Sequence, residues 1–239
     1  MLALLLLLAI PQPGSAVLQR MHDRYAGKWY HTLTFVQRTI VTRGDAKPDT
    51  ATWYEALKDS RLRIDIGSPT SGNGALATPD SSFAIREGKL ARAAAGGNPF
   101  IPLIMGVYHQ PIAQTERELT AFGFGLDRTY RTTWQGRKVT VVGAASAADT
   151  TSAQFWVDDD RLVVARVRGA LLGQPYGDIE LAGYVPLAKG WLATEIYIQL
   201  GTFRQVEQYR DWRAGMQLPD ALFTVAGWSS TPHWAKPGQ

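Results

Sequence analysis

Hydrophobic and polar positions alternate along most of the chain, and this period of two predicts β-strands. In segment 61–66 leucine and isoleucine occupy the even positions, while arginine and aspartate occupy the odd ones, as in a strand with two unlike faces. Comparable segments recur about every 8–12 residues, separated by turns such as Asp59-Ser60 and Gln135-Gly136. We count about ten strands, an arrangement typical of an antiparallel meander.

Three segments instead show helical spacing. Residues 17–28 and 111–122 each have one apolar and one polar side. Residues 100–108 are apolar on nearly every side and follow Asn98-Pro99, a pair that suits the start of a helix. We expect a mainly β fold with a few helices (α+β): a single large curved antiparallel sheet with the helices packed in its concave side.

The first residues read as an export signal. An apolar run from Leu2 to Ile10 is followed by prolines and by Gly14-Ser15-Ala16, small residues typical of a signal peptidase site. The run is too short to span a membrane; the alternative is a buried N-terminal strand or helix. No basic residue precedes it, so we expect the true start codon to lie upstream. Residues 1–16 are predicted to be a signal peptide, and residues 17–239 a single domain, soluble in the periplasm.

Composition limits the partners. The chain has no cysteine, so neither a disulfide nor a lipid anchor attached to cysteine is available. The formal net charge is +4 with the basic residues scattered, which suits an anionic lipid surface better than nucleic acid. We expect a monomer that binds a lipid or acylated protein, with an inner- or outer-membrane protein as a further partner and no nucleic acid.

Candidate catalytic and metal-binding patterns have simpler explanations. The acidic run 158–160 lacks the later ligands of a calcium loop and suits a hairpin turn. The four histidines show no metal-ligand spacing. Ser229, Ser230 and His233 lie close together without an orienting carboxylate nearby in sequence, and no Gly-x-Ser-x-Gly elbow occurs. We therefore expect no catalytic residue, no metal, no cofactor and no enzymatic activity; an exported hydrolase is the least favoured function.

The apolar helix is the main candidate for a binding element. A helix that is hydrophobic all round is either buried on every side, as a plain core helix, or shares its surroundings with a ligand. In a curved sheet its inner side would fill the concavity, opposite apolar side chains of the strands. The predicted ligand-binding residues are Leu33, Phe35, Leu62, Ile64, Phe83, Phe100, Ile101, Leu103, Ile104, Tyr108, Trp134 and Phe155.

The order of these elements resembles that of the periplasmic lipoprotein carriers of the LolA/LolB type and of outer-membrane lipoprotein-sorting-like proteins. The resemblance covers nearly all of residues 17–239. It rests on the strand Leu33-x-Phe35-x-Gln37, on the segment near Asp80 to Phe83, on the two mid-chain helices, and on four short motifs: Arg61-Leu62-Arg63-Ile64-Asp65, Trp134-Gln135-Gly136-Arg137, Gln154-Phe155-Trp156-Val157-Asp158 and Leu218-Pro219-Asp220-Ala221-Leu222-Phe223.

The resemblance implies a half-open β-barrel whose helices form a lid over an apolar cavity for acyl chains. It also implies that a basic residue on the early strands controls the lid, and Arg61 or Arg63 occupies the comparable stretch. The resulting prediction is a periplasmic carrier for a lipid or lipoprotein. Because a fold alone does not fix function, an envelope signalling or stress module that binds a protein partner is the alternative.

Overall fold

A computed structural model describes residues 12–235 of the chain. In this part of the chain the fold is mainly β, and thirteen of its fifteen strands form one antiparallel sheet. The strands are β1 (Thr32–Arg43), β2 (Asp49–Lys58), β3 (Arg61–Ile66), β4 (Gly74–Ala77), β5 (Ser81–Arg86), β6 (Lys89–Ala95), β7 (Thr129–Trp134), β8 (Arg137–Val142), β9 (Gln154–Asp158), β10 (Val164–Leu171), β11 (Gln174–Ala182), β12 (Val185–Leu187), β13 (Gly190–Leu192), β14 (Glu195–Leu200) and β15 (Phe203–Ala214).

The sheet is open rather than closed into a barrel. Its strand order is β6-β5-β4-β3-β2-β1-β15-β14-β11-β10-β9-β8-β7, so β6 and β7 form the two edges, while β12 and β13 pair separately. Most neighbours are consecutive in sequence, but the central pair joins β1 to β15. The predicted fold class, a large curved antiparallel sheet with helices on its concave side, is confirmed.

The helical elements pack on the inner face of the sheet. They are α1 (Pro13–Tyr25), a π-helical turn (Pro102–Gly106), α2 (Val107–His109) and α3 (Ile112–Ala121); a 3₁₀ turn (Asp220–Phe223) lies near the chain end. The apolar side of α1, formed by Val17, Leu18, Met21 and Tyr25, belongs to the main core.

Helix α1 begins at Pro13, four residues before its predicted start and within the predicted signal peptide. Proline suits a first helical turn because its missing N–H would have no intrahelical partner there. The next residue, Gly14, is buried and its N–H donates to the carbonyl of Leu126 at 2.8 Å. Residues 1–11 of the predicted signal peptide lie outside the described residues, and the signal peptide stays a prediction.

The outer face of the early strands is also covered. Residues 216–235, here called the C-terminal segment, pack over β2 to β5 through two small clusters centred on Leu222 and Trp228. Consequently both parities of β3 are buried: Leu62 faces the main core and Arg63 faces the C-terminal segment. A strand covered on both sides has little solvent-exposed surface, although its sequence alternates.

Candidate ligand-binding cavity

A cavity of about 290 Å³ lies between the inner face of the sheet and residues 100–109, here called the lid segment. Its walls come from the inward positions of β1, β2, β3, β11, β14 and β15, from the lid segment, from the ends of β10 and β13, and from loop residues such as Trp29 and Val163. Most of these side chains are aliphatic or aromatic. The volume lies near the lower end of the range for small-molecule pockets, about 300–1,000 Å³.

Nine of the twelve predicted ligand-binding residues meet at this cavity. They are Leu33, Phe35, Leu62, Ile64, Phe100, Ile101, Leu103, Ile104 and Tyr108. The period-two and helical patterns thus correctly predicted which side of β1, of β3 and of the lid segment faces the cavity. Their role in binding a ligand stays a prediction.

The other three predicted residues lie elsewhere. Phe83 is on the outer face, where it packs against the cluster around Trp228, and Trp134 packs edge-on against Trp156 in an outer cluster. Phe155 is fully buried in the main core, with its ring edge-on to Phe124. Phe83 and Trp134 were predicted to line the cavity, but the side chains of both point to the outer face of the sheet. Apolar clusters cover that face as well.

The lid segment is helical, as predicted, but over Pro102–Gly106 it forms a π-helical turn. The Val107 N–H donates to the carbonyl of Pro102, five residues earlier, and Asn98 Oδ1 caps the start by accepting from the Phe100 N–H at 2.9 Å. Such turns are rare and frequently mark functional sites. At Gly106 a Cβ atom would meet the Gln110 side chain at 2.9 Å, so glycine lets that amide pack closely.

Aromatic side chains attach the lid segment to the rest of the fold. Tyr108 stacks on Trp29 with ring centroids 3.8 Å apart, and meets Tyr25 of α1 edge-on at 5.4 Å. The Tyr108 hydroxyl donates to the carbonyl of Leu162 at 3.1 Å. The buried indole N–H of Trp29, a cavity-lining residue, has no hydrogen-bond partner among the described residues.

A belt of polar side chains crosses the inner face of the sheet beside this apolar wall. The belt consists of Glu55 on β2, Gln37 and Thr39 on β1, and Gln205, Glu207 and Tyr209 on β15. Strand register places these residues side by side: Gln37 lies opposite both Trp53 and Tyr209, while Thr39 lies opposite Glu207. Four of the six, Glu55, Gln205, Glu207 and Tyr209, line the cavity.

Hydrogen bonds hold the β15 part of the belt. Glu207 accepts from Gln205 Nε2 at 2.5 Å and from the Tyr209 hydroxyl at 2.7 Å. Gln37 Nε2 donates to Thr39 Oγ1 at 2.7 Å, whereas Gln37 Oε1 is buried without a partner in the described part of the chain.

Two carboxyl groups are therefore present in a largely apolar cavity. Burial raises the pKa of the Glu55 carboxyl well above its ordinary value, and the neighbouring Glu207 raises it further. Burial also raises the pKa of Glu207, although hydrogen bonds from Tyr209 and Gln205 oppose that change. Both effects follow from the cost of holding a charge away from water. The sequence analysis did not identify either residue as part of the site.

A second cavity of about 260 Å³ adjoins the first. The two share Leu62, Ile64, Asn98 and Phe100, so the Phe100 ring lies in their common wall. At the far side stands Leu172, whose side chain is at the tip of the β10–β11 hairpin and 55% exposed. Phe100 is thus one of four residues that border both spaces.

Arg61 and Arg63 lie on the outer face of β3, opposite the cavity. Arg61 donates to Asp220 at 2.8 Å. Arg63 forms a bidentate pair with Asp65 at 2.8 and 2.9 Å and lies over the Trp228 ring at 3.9 Å. Both arginines thus contact the C-terminal segment, with the sheet between them and the lid segment, so control of the lid through a direct contact has no support in this arrangement.

The serine and histidine near the chain end do not form a triad. His233 Nε2 lies 3.0 Å from Asp65 Oδ2, and its Nδ1 accepts from the Ala235 N–H. The hydroxyls of Ser229 and Ser230 donate instead to the carbonyls of Gly88 and Ala226. In the acidic turn, Asp158 accepts from the backbone N–H groups of residues 160 and 161. Within residues 12–235 no cluster of His, Asp and Glu has the makeup of a metal site.

Comparison with known proteins places this geometry in a known fold. A DUF1329 family protein from Desulfovibrio piger superposes with a TM-score of 0.59 at 13% identity, covering 91% of this chain and all of the other. A LolA superfamily protein from Nitrosomonas europaea gives 0.57 at 10% identity, covering 90% and 98%. The chain has the LolA-like fold.

A third structure agrees with this LolA-like assignment. An outer membrane lipoprotein-sorting protein domain from Vibrio parahaemolyticus gives a TM-score of 0.58 at 14% identity, covering 90% of this chain and 98% of the other. No protein-family model and no curated protein sequence matches the chain. The resemblance drawn from the residues is thus confirmed at the level of the fold. Among residues 12–235 no helix is long and apolar enough to cross a membrane.

Proposed function

We propose that residues 17–239 form a periplasmic carrier or binding protein that holds the acyl chain of a lipid or lipid-modified protein under the lid segment. The observation that carries this proposal is the apolar cavity of about 290 Å³ between the lid segment and the concave face of the sheet. The LolA-like fold and the predicted signal peptide support the location and the class of ligand.

Apolar burial supplies the binding energy. Each buried methylene contributes about 0.8 kcal/mol, so a ten-carbon chain contributes about 8 kcal/mol. Association costs about 4–15 kcal/mol in lost freedom, so chain burial alone gives weak to moderate binding. Movement of Phe100 would enlarge the available space, because this residue borders both cavities. The ligand is therefore expected to contain at least one flexible alkyl chain.

The first test is the content of the natural protein. Protein purified gently from its own periplasm is analysed by native mass spectrometry and by lipid extraction. We expect an adduct whose mass matches an extracted lipid or acylated protein. A protein recovered without lipid, which also fails to bind fluorescent acyl probes after delipidation, would contradict the carrier function. Co-purification of a protein partner in place of lipid would favour the signalling module.

A cavity-filling variant ties binding to this site. Ile198 lies on β14, lines the cavity and is half-buried, so Ile198→Trp fills part of the space. The matched control is Tyr197→Trp, one residue away on the same strand but 40% exposed on the outer face. We expect the Ile198→Trp protein to lose most acyl-probe binding and the Tyr197→Trp protein to retain it.

A further inference from the structure

The two acids of the polar belt are uncompensated by any base in the cavity wall. Glu55 and Glu207 both line the cavity, yet no Lys, Arg or His does so among the described residues. Elsewhere in this fold a buried acid is paired: Asp65 binds Arg63, and Asp158 lies near Arg137 and Arg161. Buried charges are ordinarily paired in this way. The cavity wall therefore contains two acidic side chains and, among the described residues, no basic one.

Hydrogen-bond acceptors are also in excess. Glu55 is 7% exposed, and no side chain among the described residues donates a hydrogen bond to its carboxylate. Gln37 Oε1, fully buried between Trp53 and Tyr209 in the strand register, also has no partner in this part of the chain. Unsatisfied buried polar groups are rare and call for a partner. These two acceptors and Glu207 belong to the same belt.

An ammonium group supplies both the positive charge that the cavity wall lacks and hydrogen-bond donors for its acceptors. It carries one positive charge and three N–H donors, whereas a hydroxyl offers one donor and no charge, and a carboxylate offers only acceptors. Hydrogen bonds between charged partners are the strong ones, and the surrounding cavity wall is largely apolar. A carboxylate in the same place would repel both glutamates.

We propose that Glu55 and Glu207 bind the amine group of an amphiphilic ligand whose alkyl chain lies under the lid segment. The inference rests on the proposed carrier function and narrows it to amine-bearing lipids. Burial raises the pKa of both carboxyls, which favours a bound proton in the ligand-free cavity. Entry of the ammonium ion releases that proton to solvent, and no covalent bond changes.

The test compares three ligands with the same twelve-carbon chain: dodecylamine, dodecanol and dodecanoate. Titration calorimetry with the delipidated full chain, below micelle-forming concentrations, gives each dissociation constant. We expect the amine to bind about tenfold or more tightly than the alcohol, and the carboxylate to bind most weakly. Repeating the amine titration in two buffers of different ionisation enthalpy is expected to show proton release to the buffer.

Variants of the two glutamates test whether the amine binds at this site. Glu55→Gln and Glu207→Gln keep the shape but remove one acid each, and both are expected to weaken amine binding about tenfold more than they weaken dodecanol binding. The control is Glu195→Gln, on the outer parity of β14, where the glutamate accepts from the Tyr197 hydroxyl; it should change neither. Retained dodecanol binding shows that each variant has folded with its cavity intact.

The outcomes separate the two proposals. If dodecanol binds as tightly as dodecylamine to the unsubstituted protein, the amine site is overturned and the carrier function stands. If none of the three ligands binds, the carrier function itself fails. If amine binding is tight but unaffected by either glutamine variant, the amine lies elsewhere and the assignment to Glu55 and Glu207 is wrong. The comparison on the unsubstituted protein decides the ligand class even if a variant does not fold.

Discussion

The indole ring of Trp29 and the phenol ring of Tyr108 stack with centroids 3.8 Å apart and planes inclined by 23°. Trp29 follows α1, and Tyr108 lies in α2 within the lid segment. Both rings line the cavity. The same contact therefore attaches the lid segment to the body of the protein and forms one end of the candidate binding site.

Removal of this contact should destabilise the fold far more than removal of one hydrogen bond. Tyr108→Ala is expected to lower the free energy of unfolding by about 3–5 kcal/mol, because it deletes a fully buried ring. Tyr108→Phe loses only the bond to the Leu162 carbonyl and should cost about 0.5–1.5 kcal/mol. Urea unfolding followed by circular dichroism measures both. Equal losses would mean that the hydroxyl, not ring packing, dominates.

Phe100→Ala is expected to join the two cavities. Because Phe100 lies in their common wall, its removal makes room for a longer chain. With about 0.8 kcal/mol per methylene, room for two more methylenes raises affinity about tenfold. Titration with dodecanol and hexadecanol should therefore show a gain for the longer alcohol alone. The matched control is Phe83→Ala, on the outer face, for which the preference between the two alcohols should not change.

The buried ion pair on the outer face makes Asp65→Asn strongly destabilising. Arg63 and Asp65 are each 2% exposed, so loss of the carboxylate leaves a buried guanidinium without its counter-charge, which costs about 3–5 kcal/mol. Chemical unfolding measures the loss. The control, Asp160→Asn at an exposed turn, should stay within about 0.5 kcal/mol.

A double variant separates charge from packing at the same place. Arg63→Met combined with Asp65→Leu removes both charges and keeps apolar volume, and such replacements are often neutral or stabilising. We expect the double variant to recover most of the stability lost in Asp65→Asn. A double variant no more stable than the single one would show that Arg63 contributes mainly through its contacts with Trp228 and the carbonyl of Leu222.

Stability should fall with acidification through His109. Burial and the stacked ring of His31, 4.2 Å away, lower the pKa of His109, as does His22; the Tyr30 carbonyl and Asp59 oppose them. A lowered native pKa means that the unfolded chain binds more protons as pH falls below about 6.5. The contribution of neutral His109 is therefore lost between that pH and its lowered native pKa.

The matching experiment measures urea unfolding between pH 8 and pH 5 for the unsubstituted chain and for His109→Gln. The difference in free energy of unfolding between the two proteins should change in this interval, because only the unsubstituted chain carries the titrating ring. The raised pKa of Glu55 acts oppositely, since its contribution is lost as pH rises above the ordinary glutamate value. A pH-independent difference would exclude His109 as the source.

The spacing of hydrophobic residues in the sequence predicts much of the fold. The alternation around Leu62 and Ile64 correctly separated the cavity side of β3 from its other side, and the apolar segment 100–108 correctly indicated a helix over the cavity. Both predictions depend on side-chain periods of 2 and 3.6 residues, which sequence displays directly. Neither period shows the π-helical turn at Pro102–Gly106 or the stacking of Tyr108 on Trp29, a residue distant in sequence.

The errors have a common physical origin. Alternation does not reveal which side of a strand is concave, and here the C-terminal segment supplies apolar contacts on the outer side too, where Phe83 was found. Apolar periodicity could not predict the polar belt, because that pattern marks only apolar side chains as inward-facing. Glu55 lies on the inward parity of β2 between Trp53 and Leu57, and Glu207 on that of β15. A glutamate at a strand position whose neighbours on the same face are apolar is the signal that could have identified Glu55 and Glu207.

The central pairing of β1 with β15 also constrains how the protein reaches this structure. Arg38 and Gln208 face each other across that pair although 170 positions separate them in the chain. Strand pairs this distant in sequence form slowly, because a long loop must close before any contact is made. The middle of the sheet therefore cannot assemble until almost the whole polypeptide has been synthesised. An emerging chain stays incompletely folded up to that point, a state that is compatible with the proposed export.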